Sequence, residues 1–257
     1  MNKKYALVVG NNYPNTEAEL RGCVNDAWDW SELLKREGYT VEVLLEADKM
    51  TVLNHLHDLV DRAGFADRIV FQFSGHGTWV PDRDGDEADG RDEALVMAGL
   101  SHADLITDDE LQRVFTELKY GTGVLVLSDS CHSGTVSRFT ETPRAATPGR
   151  TRFISPVDLG ISLSFERVLE LEQRAATPPR RTASLISGCT DQEYSYDASF
   201  NGRPNGAFSR VAIDTFASGI SLSGWWRAIR KALPSDYLPQ SPQLTAASAY
   251  RKYTRAL

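Results

Sequence analysis

The residues of this chain whose types and spacing could do covalent chemistry are a histidine and a cysteine, each just past an apolar run. Arg68-Ile69-Val70-Phe71-Gln72-Phe73 leads into Ser74-Gly75-His76-Gly77, and Val124-Leu125-Val126-Leu127 leads into Ser128-Asp129-Ser130-Cys131-His132-Ser133-Gly134. A free thiol is largely protonated at neutral pH, so a nucleophilic cysteine needs a base or a positive field beside it. His76 can supply the base. Glycines beside both residues suit a backbone that turns sharply or approaches a ligand closely.

The runs before these residues read as buried strands, and the carboxyl ends of strands in an open α/β sheet are where ligand sites are built. Strands are expected at about Tyr5 to Val9, Thr40 to Leu45, Ile69 to Phe73, Val124 to Leu127 and Ala183 to Ile186. Between and after them, helical patterns fall at about Val24 to Arg36, Thr51 to Ala63, Asp108 to Leu118, Ala207 to Phe216 and Ser223 to Leu233. Alternation of this kind predicts an α/β fold with a mostly parallel sheet covered on both faces. Asn25-Asp26 is a candidate cap for the first helix and Gly38 its stop.

The length, 257 residues, suits one large domain spanning 1–257, which is the expected organisation. A net charge of −7 argues against a nucleic-acid binder. The absence of an apolar run of membrane-spanning length argues against a membrane protein. The apolar part of the first ten residues is too short for a secretory signal and reads as a strand. Cys23, Cys131 and Cys189 are odd in number and widely spaced, which points away from a disulfide framework and toward a reducing, cytoplasmic setting.

Two insertions interrupt the alternation. The stretch from Pro81 to Glu93 carries seven carboxylates without the spacing of an EF-hand, and reads either as a solvated acidic loop or as a site for cations. The second, about 138–182, has eight Arg and no Lys, with a repeated pattern in Arg144-Ala145-Ala146-Thr147-Pro148-Gly149-Arg150 and Arg174-Ala175-Ala176-Thr177-Pro178-Pro179-Arg180. Its prolines and small residues oppose regular structure, apart from a short amphipathic piece at Leu163 to Leu171.

Taken together, Ser74-Gly75-His76-Gly77 and Asp129-Ser130-Cys131-His132-Ser133-Gly134 resemble the catalytic motifs of metacaspases and bacterial caspase-like cysteine proteases. Further matches at Leu20 to Ala27, Asp89 to Leu95, Asp108-Asp109, Ser187 to Gln192 and Gly206 to Phe208 extend the resemblance over most of the chain. It implies a caspase-like fold, a mostly parallel sheet of about six or more strands flanked by helices. The implied chemistry is acyl transfer by a Cys-His dyad: Cys131 attacks a peptide carbonyl, His76 handles the protons, and the backbone N–H groups of Cys131 and Gly77 form the oxyanion hole.

The resemblance also implies a pocket for the residue before the scissile bond, lined by Asp26, Asp129, Cys23 and Ser74. Two acids in a closed pocket favour a guanidinium or ammonium, so cleavage of protein or peptide substrates after Arg, or after Lys, is expected. Such an enzyme could process itself, or be activated by an upstream protease, at Arg144, Arg150, Arg174, Arg180 or Arg181; an arginine of this loop could instead occupy the pocket as an inhibitor. Asp92, Asp108 and Asp109 match family calcium ligands, but the fourth ligand position falls at Arg138. The expectation is therefore a reaction that requires no cofactor, with calcium as the alternative. The family context is a monomer acting in stress, cell death or defence. Competing readings are a catalytically silent interaction module and a partner-dependent acyl-transfer enzyme on the same fold.

Overall fold

The computed structural model describes residues 2–82, 90–131, 149–161, 182–190 and 193–257. In chain order its strands are β1 (Lys4–Gly10), β2 (Thr40–Leu45), β3 (Arg68–Ser74), β4 (Gly77–Pro81), β5 (Arg91–Val96), β6 (Leu105–Thr107), β7 (Gly123–Asp129), β8 (Arg150–Thr151), β9 (Ser184–Ser187), β10 (Tyr196–Phe200), β11 (Arg203–Gly206) and β12 (Gln243–Thr245). The helices are α1 (Cys23–Arg36), α2 (Lys49–Arg62), α3 (Asp108–Thr116), α4 (Ala207–Thr215) and α5 (Leu222–Ala232).

The main sheet has six strands in the order β12-β9-β7-β3-β1-β2. All its pairings are parallel except that of β12 with β9, in agreement with the expected mostly parallel sheet. Side chains of successive strand residues point to opposite faces, and the core divides accordingly. Leu7, Val9, Phe71 and Phe73 pack with Val52, Leu56 and Leu59 of α2 and Val114 and Phe115 of α3. Ala6, Val8, Val70, Leu125 and Leu127 pack on the other face with Trp30 and Leu34 of α1, Phe208 of α4 and Trp225 of α5. Central strands buried on both sides must be apolar throughout, which is why they are readable as continuous runs.

Two small sheets were not anticipated. β4-β5-β6 follows His76 directly, so the acidic insertion is partly a hairpin, with 83–89 outside the described residues. β11-β10-β8 joins part of the arginine-rich insertion to the segment before α4. The expected short helix at Leu163 to Leu171 also lies outside the described residues. The capping of α1 differs from expectation as well. Asn12 Oδ1 accepts from the N–H groups of Cys23 and Val24, while Asp26 is inside the first turn and fully buried. Among the described residues, no helix is long and apolar enough to cross a membrane.

The sheet winds outward from β1 in both directions, to β2 on one side and to β3, β7 and β9 on the other. Ligand sites in doubly wound sheets form at such a reversal, outside the carboxyl ends of the strands. The loop before α1, the turn after β3 and the turn after β7 meet there.

Candidate active site

β3 and β7 pair in parallel with Ser74 opposite Asp129, so the residues after them emerge side by side. His76 is held on every side. Its N–H donates to the Tyr13 hydroxyl (2.9 Å), its carbonyl accepts from Val96 N–H (2.9 Å), and its ring packs 4.9 Å from that of Tyr13. The Nε2 atom lies 2.7 Å from the Ala18 carbonyl oxygen. A carbonyl can only accept, so Nε2 carries the proton and Nδ1 is the bare nitrogen. Nδ1 is buried and has no hydrogen-bond partner among the described residues. Burial pulls the imidazole pKa down to about 4, with the nearby Arg152 charge adding to the effect, so His76 is neutral at physiological pH. No third catalytic side chain was expected, and the orienting group is a backbone carbonyl, which leaves no signature in a sequence.

Cys131 is fully buried. Its sulfur accepts from the Ser195 N–H and lies 3.5 Å from the Ser195 carbonyl oxygen, without a sulfur–imidazole hydrogen bond among the described residues. Cys189 lies beside it, its thiol pKa pushed well up by hydrogen bonding to Cys131 and by burial.

Asp26 and Asp129, expected to line a substrate pocket, both face this chain's own Arg152, whose side chain is wholly buried between them. One guanidinium nitrogen, Nη2, donates to Asp26 Oδ2 (2.7 Å) and Asp197 Oδ1 (3.0 Å). The other, Nη1, lies 3.2 Å from Asp129 Oδ2. Burial opposes the charge on Arg152, but the surrounding acids and Cys23 outweigh it and hold the group firmly protonated. Three buried carboxylates facing one guanidinium leave an excess of negative charge. Burial, with repulsion from Asp129, raises the Asp26 pKa to about 6 against the pull of Arg152.

The acids are themselves braced. Asp26 accepts from Asn205 Nδ2 (2.8 Å) and Gly206 N–H (2.9 Å), and Asp129 accepts from Ser195 Oγ (2.6 Å) and Ser209 N–H (2.8 Å). Asp197 accepts from Arg21 N–H (2.8 Å) and Gly22 N–H (2.9 Å) at the entry to α1. A Cβ at Gly206 would collide with both Asp129 and the Arg152 guanidinium, so only glycine fits there. The helix-cap reading of Asp26 is thus overturned, because its carboxylate faces the pocket instead of the helix end. Cys23 is buried within the field of Arg152 and the three acids. Ser74 stands one shell back, bonded to Gln72 Nε2 (2.8 Å) and close to Ser209 Oγ (3.4 Å). Asp197 and Arg152 were not anticipated, since no motif marks them and their roles depend on tertiary pairing.

The backbone of Arg152 is engaged as fully as its side chain. Its carbonyl oxygen accepts from Gly77 N–H and Cys131 N–H, each at 3.0 Å, the two donors expected of an oxyanion hole. Its N–H donates to the Ser195 carbonyl (2.9 Å), and β8 runs antiparallel to β10 with Thr151 opposite Tyr196 and Arg150 opposite Asp197.

The residues matched to family calcium ligands lie on β5 and at the start of α3. Asp108 and Asp109 occupy the first turn of α3, where Asp109 pairs with Arg113 (3.4 Å), and Asp92 is buried on β5. Among the described residues, no group of three or more His, Cys, Asp or Glu side chains is arranged to hold a metal. Arg138, at the fourth position of the calcium site that the resemblance implied, lies outside the described residues. So do Arg144, Arg174, Arg180 and Arg181. Arg150 is described: it is exposed at the start of β8 and donates to the Glu17 (3.1 Å) and Glu19 (2.5 Å) carbonyls.

A family model described as the metacaspase, peptidase C14 domain matches residues 4–139. Curated relatives include Metacaspase-1 of Coccidioides immitis, 32% identical over 95% of this chain and 62% of that protein. Metacaspase-1A of Aspergillus terreus is 31% identical over 95% of this chain and 70% of its own length. The chain thus spans roughly two thirds of these relatives. Among solved structures, a protein of Geobacter sulfurreducens superposes with a TM-score of 0.73 at 28% identity, covering 99% of this chain and 98% of that one. Caspase-1 of Spodoptera frugiperda superposes with a TM-score of 0.62 at 12% identity, covering 96% and 87%, a likeness of fold.

Proposed function

The chain belongs to the metacaspase family of C14 peptidases, and from that premise we propose that it is a cysteine endopeptidase that cuts after arginine, and less readily after lysine, by a Cys131–His76 dyad. One observation carries this reading. The segment through Arg152 lies in the cleft with the guanidinium on Asp26, Asp129 and Asp197 and the Arg152 carbonyl oxygen on the Gly77 and Cys131 N–H groups.

In this reading His76 Nδ1 takes the Cys131 proton and the sulfur adds to the carbonyl carbon. The charge that develops on oxygen meets two fixed peptide donors, each worth roughly 2.7–4 kcal/mol in comparable sites. The Ala18 carbonyl stabilises the imidazolium through Nε2–H and keeps Nδ1 aimed at the reacting groups. The same nitrogen then protonates the leaving amine, and water hydrolyses the thioester.

Specificity comes from charge and shape. Arginine is planar and can serve several carboxylate oxygens at once, whereas lysine offers a single ammonium. Aspartate before the scissile bond would bring a fourth negative charge into a pocket already holding three. The test is a set of peptides differing only at that residue, assayed beside Cys131→Ala. The expected order of kcat/KM is Arg above Lys, with Asp lower than Arg by more than about 1,000-fold and no turnover by the variant. Preference for Asp, or equal turnover by Cys131→Ala, would sink the assignment.

A further inference from the structure

A second cleft opens at the pole of the main sheet opposite the active site, at the amino ends of β3 and β7. Arg68 and Gly123 stand opposite each other there in the parallel register, and Tyr39, Ser184, Arg251 and Arg255 complete the walls. β3 runs from Arg68 to Ser74, so about 20 Å of strand separates this cleft from the residues around His76 and Cys131.

Three guanidiniums converge on it. The Arg251 group lies against the bare backbone of Gly123, where an added Cβ would fall 2.8 Å from its Nη1. Arg68 Nη1 donates to the Arg255 carbonyl (3.3 Å), and the Arg68 guanidinium also donates to the Tyr39 hydroxyl. Lys4 stands beside them, its ammonium 5.1 Å from the centre of the Tyr39 ring. Burial lowers the Lys4 pKa, and repulsion from Arg68 and Arg255 adds to the effect against the pull of Glu37.

Among the described residues, none of Lys4, Arg68, Arg251 and Arg255 forms an ion pair with a carboxylate, whereas Arg62, Arg113, Arg152, Arg203 and Arg210 each meet an acid. Glu37, the acid that acts on Lys4, accepts from Ser218 Oγ (3.0 Å). Like charges gathered around a cleft repel, and a multivalent anion seated between them removes that repulsion. Arg68 and Arg251 are half-buried and Arg255 is exposed, so a ligand reaches all three without displacing the chain. Guanidinium forks match the oxygen edges of phosphates and carboxylates alike, and several forks around one point favour the group that carries more charge in less space.

We infer that this cleft is a binding site for a phosphate-bearing small molecule, held by Arg68, Arg251 and Arg255 with Lys4 as supporting charge. The site is separate from the peptidase centre and stands without it. Inorganic pyrophosphate and a nucleoside diphosphate share the group that the cleft recognises, and the two are separate arms of the test.

The experiment is calorimetric titration of the full chain in about 150 mM chloride with inorganic pyrophosphate, ADP and, as a carboxylate of comparable charge, citrate. Pyrophosphate should bind one to one with a Kd below about 100 μM, and citrate at least about tenfold more weakly. Arg251→Gln and Arg255→Gln should each weaken pyrophosphate by about 10- to 100-fold. Lys252→Gln, which removes an exposed charge outside the cleft, should change it less than about twofold. Gly123→Ala keeps every charge but displaces the Arg251 guanidinium and should weaken binding about tenfold, so the site stays testable if a charge variant fails to fold. Equal affinity for ADP and pyrophosphate means that the phosphates alone are held, and tighter ADP means that the nucleoside is read as well; both support the site. Absence of saturable binding up to about 1 mM, citrate as tight as pyrophosphate, or an equal loss in Lys252→Gln overturns it. A chain that binds pyrophosphate and cuts no arginyl peptide keeps this site and loses the endopeptidase reading.

Discussion

At the residue scale, the site is a problem of unequal charge. Asp26, Asp129 and Asp197 share one guanidinium, and the surplus falls on Asp26, whose pKa burial and Asp129 raise to about 6. Above that value Asp26 is ionised and attracts an arginine; below it the proton neutralises the carboxylate while the guanidinium keeps its charge. The kcat/KM for arginyl peptides is therefore expected to fall as pH drops through about 6. His76, near 4 because it is buried, titrates below this range. Asp26→Asn should reduce kcat/KM by about 10- to 100-fold at neutral pH and flatten the acid limb, checked by pH–rate profiles of both proteins. An unchanged limb in the variant would assign it to another group. Asp26, Asp129, His76 and Cys131 were legible because they sit in motifs beside strands. Asp197 and Arg152 were not, because an aspartate on a short ribbon and an arginine among many acquire meaning only when β8 lies against β10.

At the scale of elements, burial decided what could be read. β1, β3 and β7 are enclosed on both faces and so are written as apolar runs, and the expected strand and helix positions agree with the structure to within a few residues. β4, β5, β6, β8, β10 and β11 are short antiparallel pieces, stabilised by pairing with distant segments, which periodicity cannot report. The C-terminal helices illustrate the reverse case. Trp225 is fully buried, edge-on to Trp30 (ring centroids 6.0 Å apart) and Phe216 (5.3 Å), with Nε1 donating to the Ala212 carbonyl (2.9 Å). Trp225→Ala should cost about 3–5 kcal/mol of stability, read as a lower urea midpoint, with catalysis per folded molecule retained because Trp225 makes no contact with Cys131 or His76. A loss below about 1 kcal/mol would mean that the cavity collapses on mutation.

For the molecule as a whole, the acids expected to bind calcium lie on β5 and in the first turn of α3, and among the described residues no group of three or more His, Cys, Asp or Glu is arranged to hold a metal. Peptide hydrolysis is expected to change less than about twofold when a calcium chelator is added; a loss beyond tenfold would require a site built with residues such as those around Arg138. The Arg152 carbonyl that joins Gly77 to Cys131 bears on any attempt to count working molecules. A tethered occupant competes at an effective concentration of roughly millimolar, so a micromolar arginyl inactivator meets few vacant clefts. Titration with such a reagent would therefore report a small active fraction in a preparation whose every molecule is correctly folded.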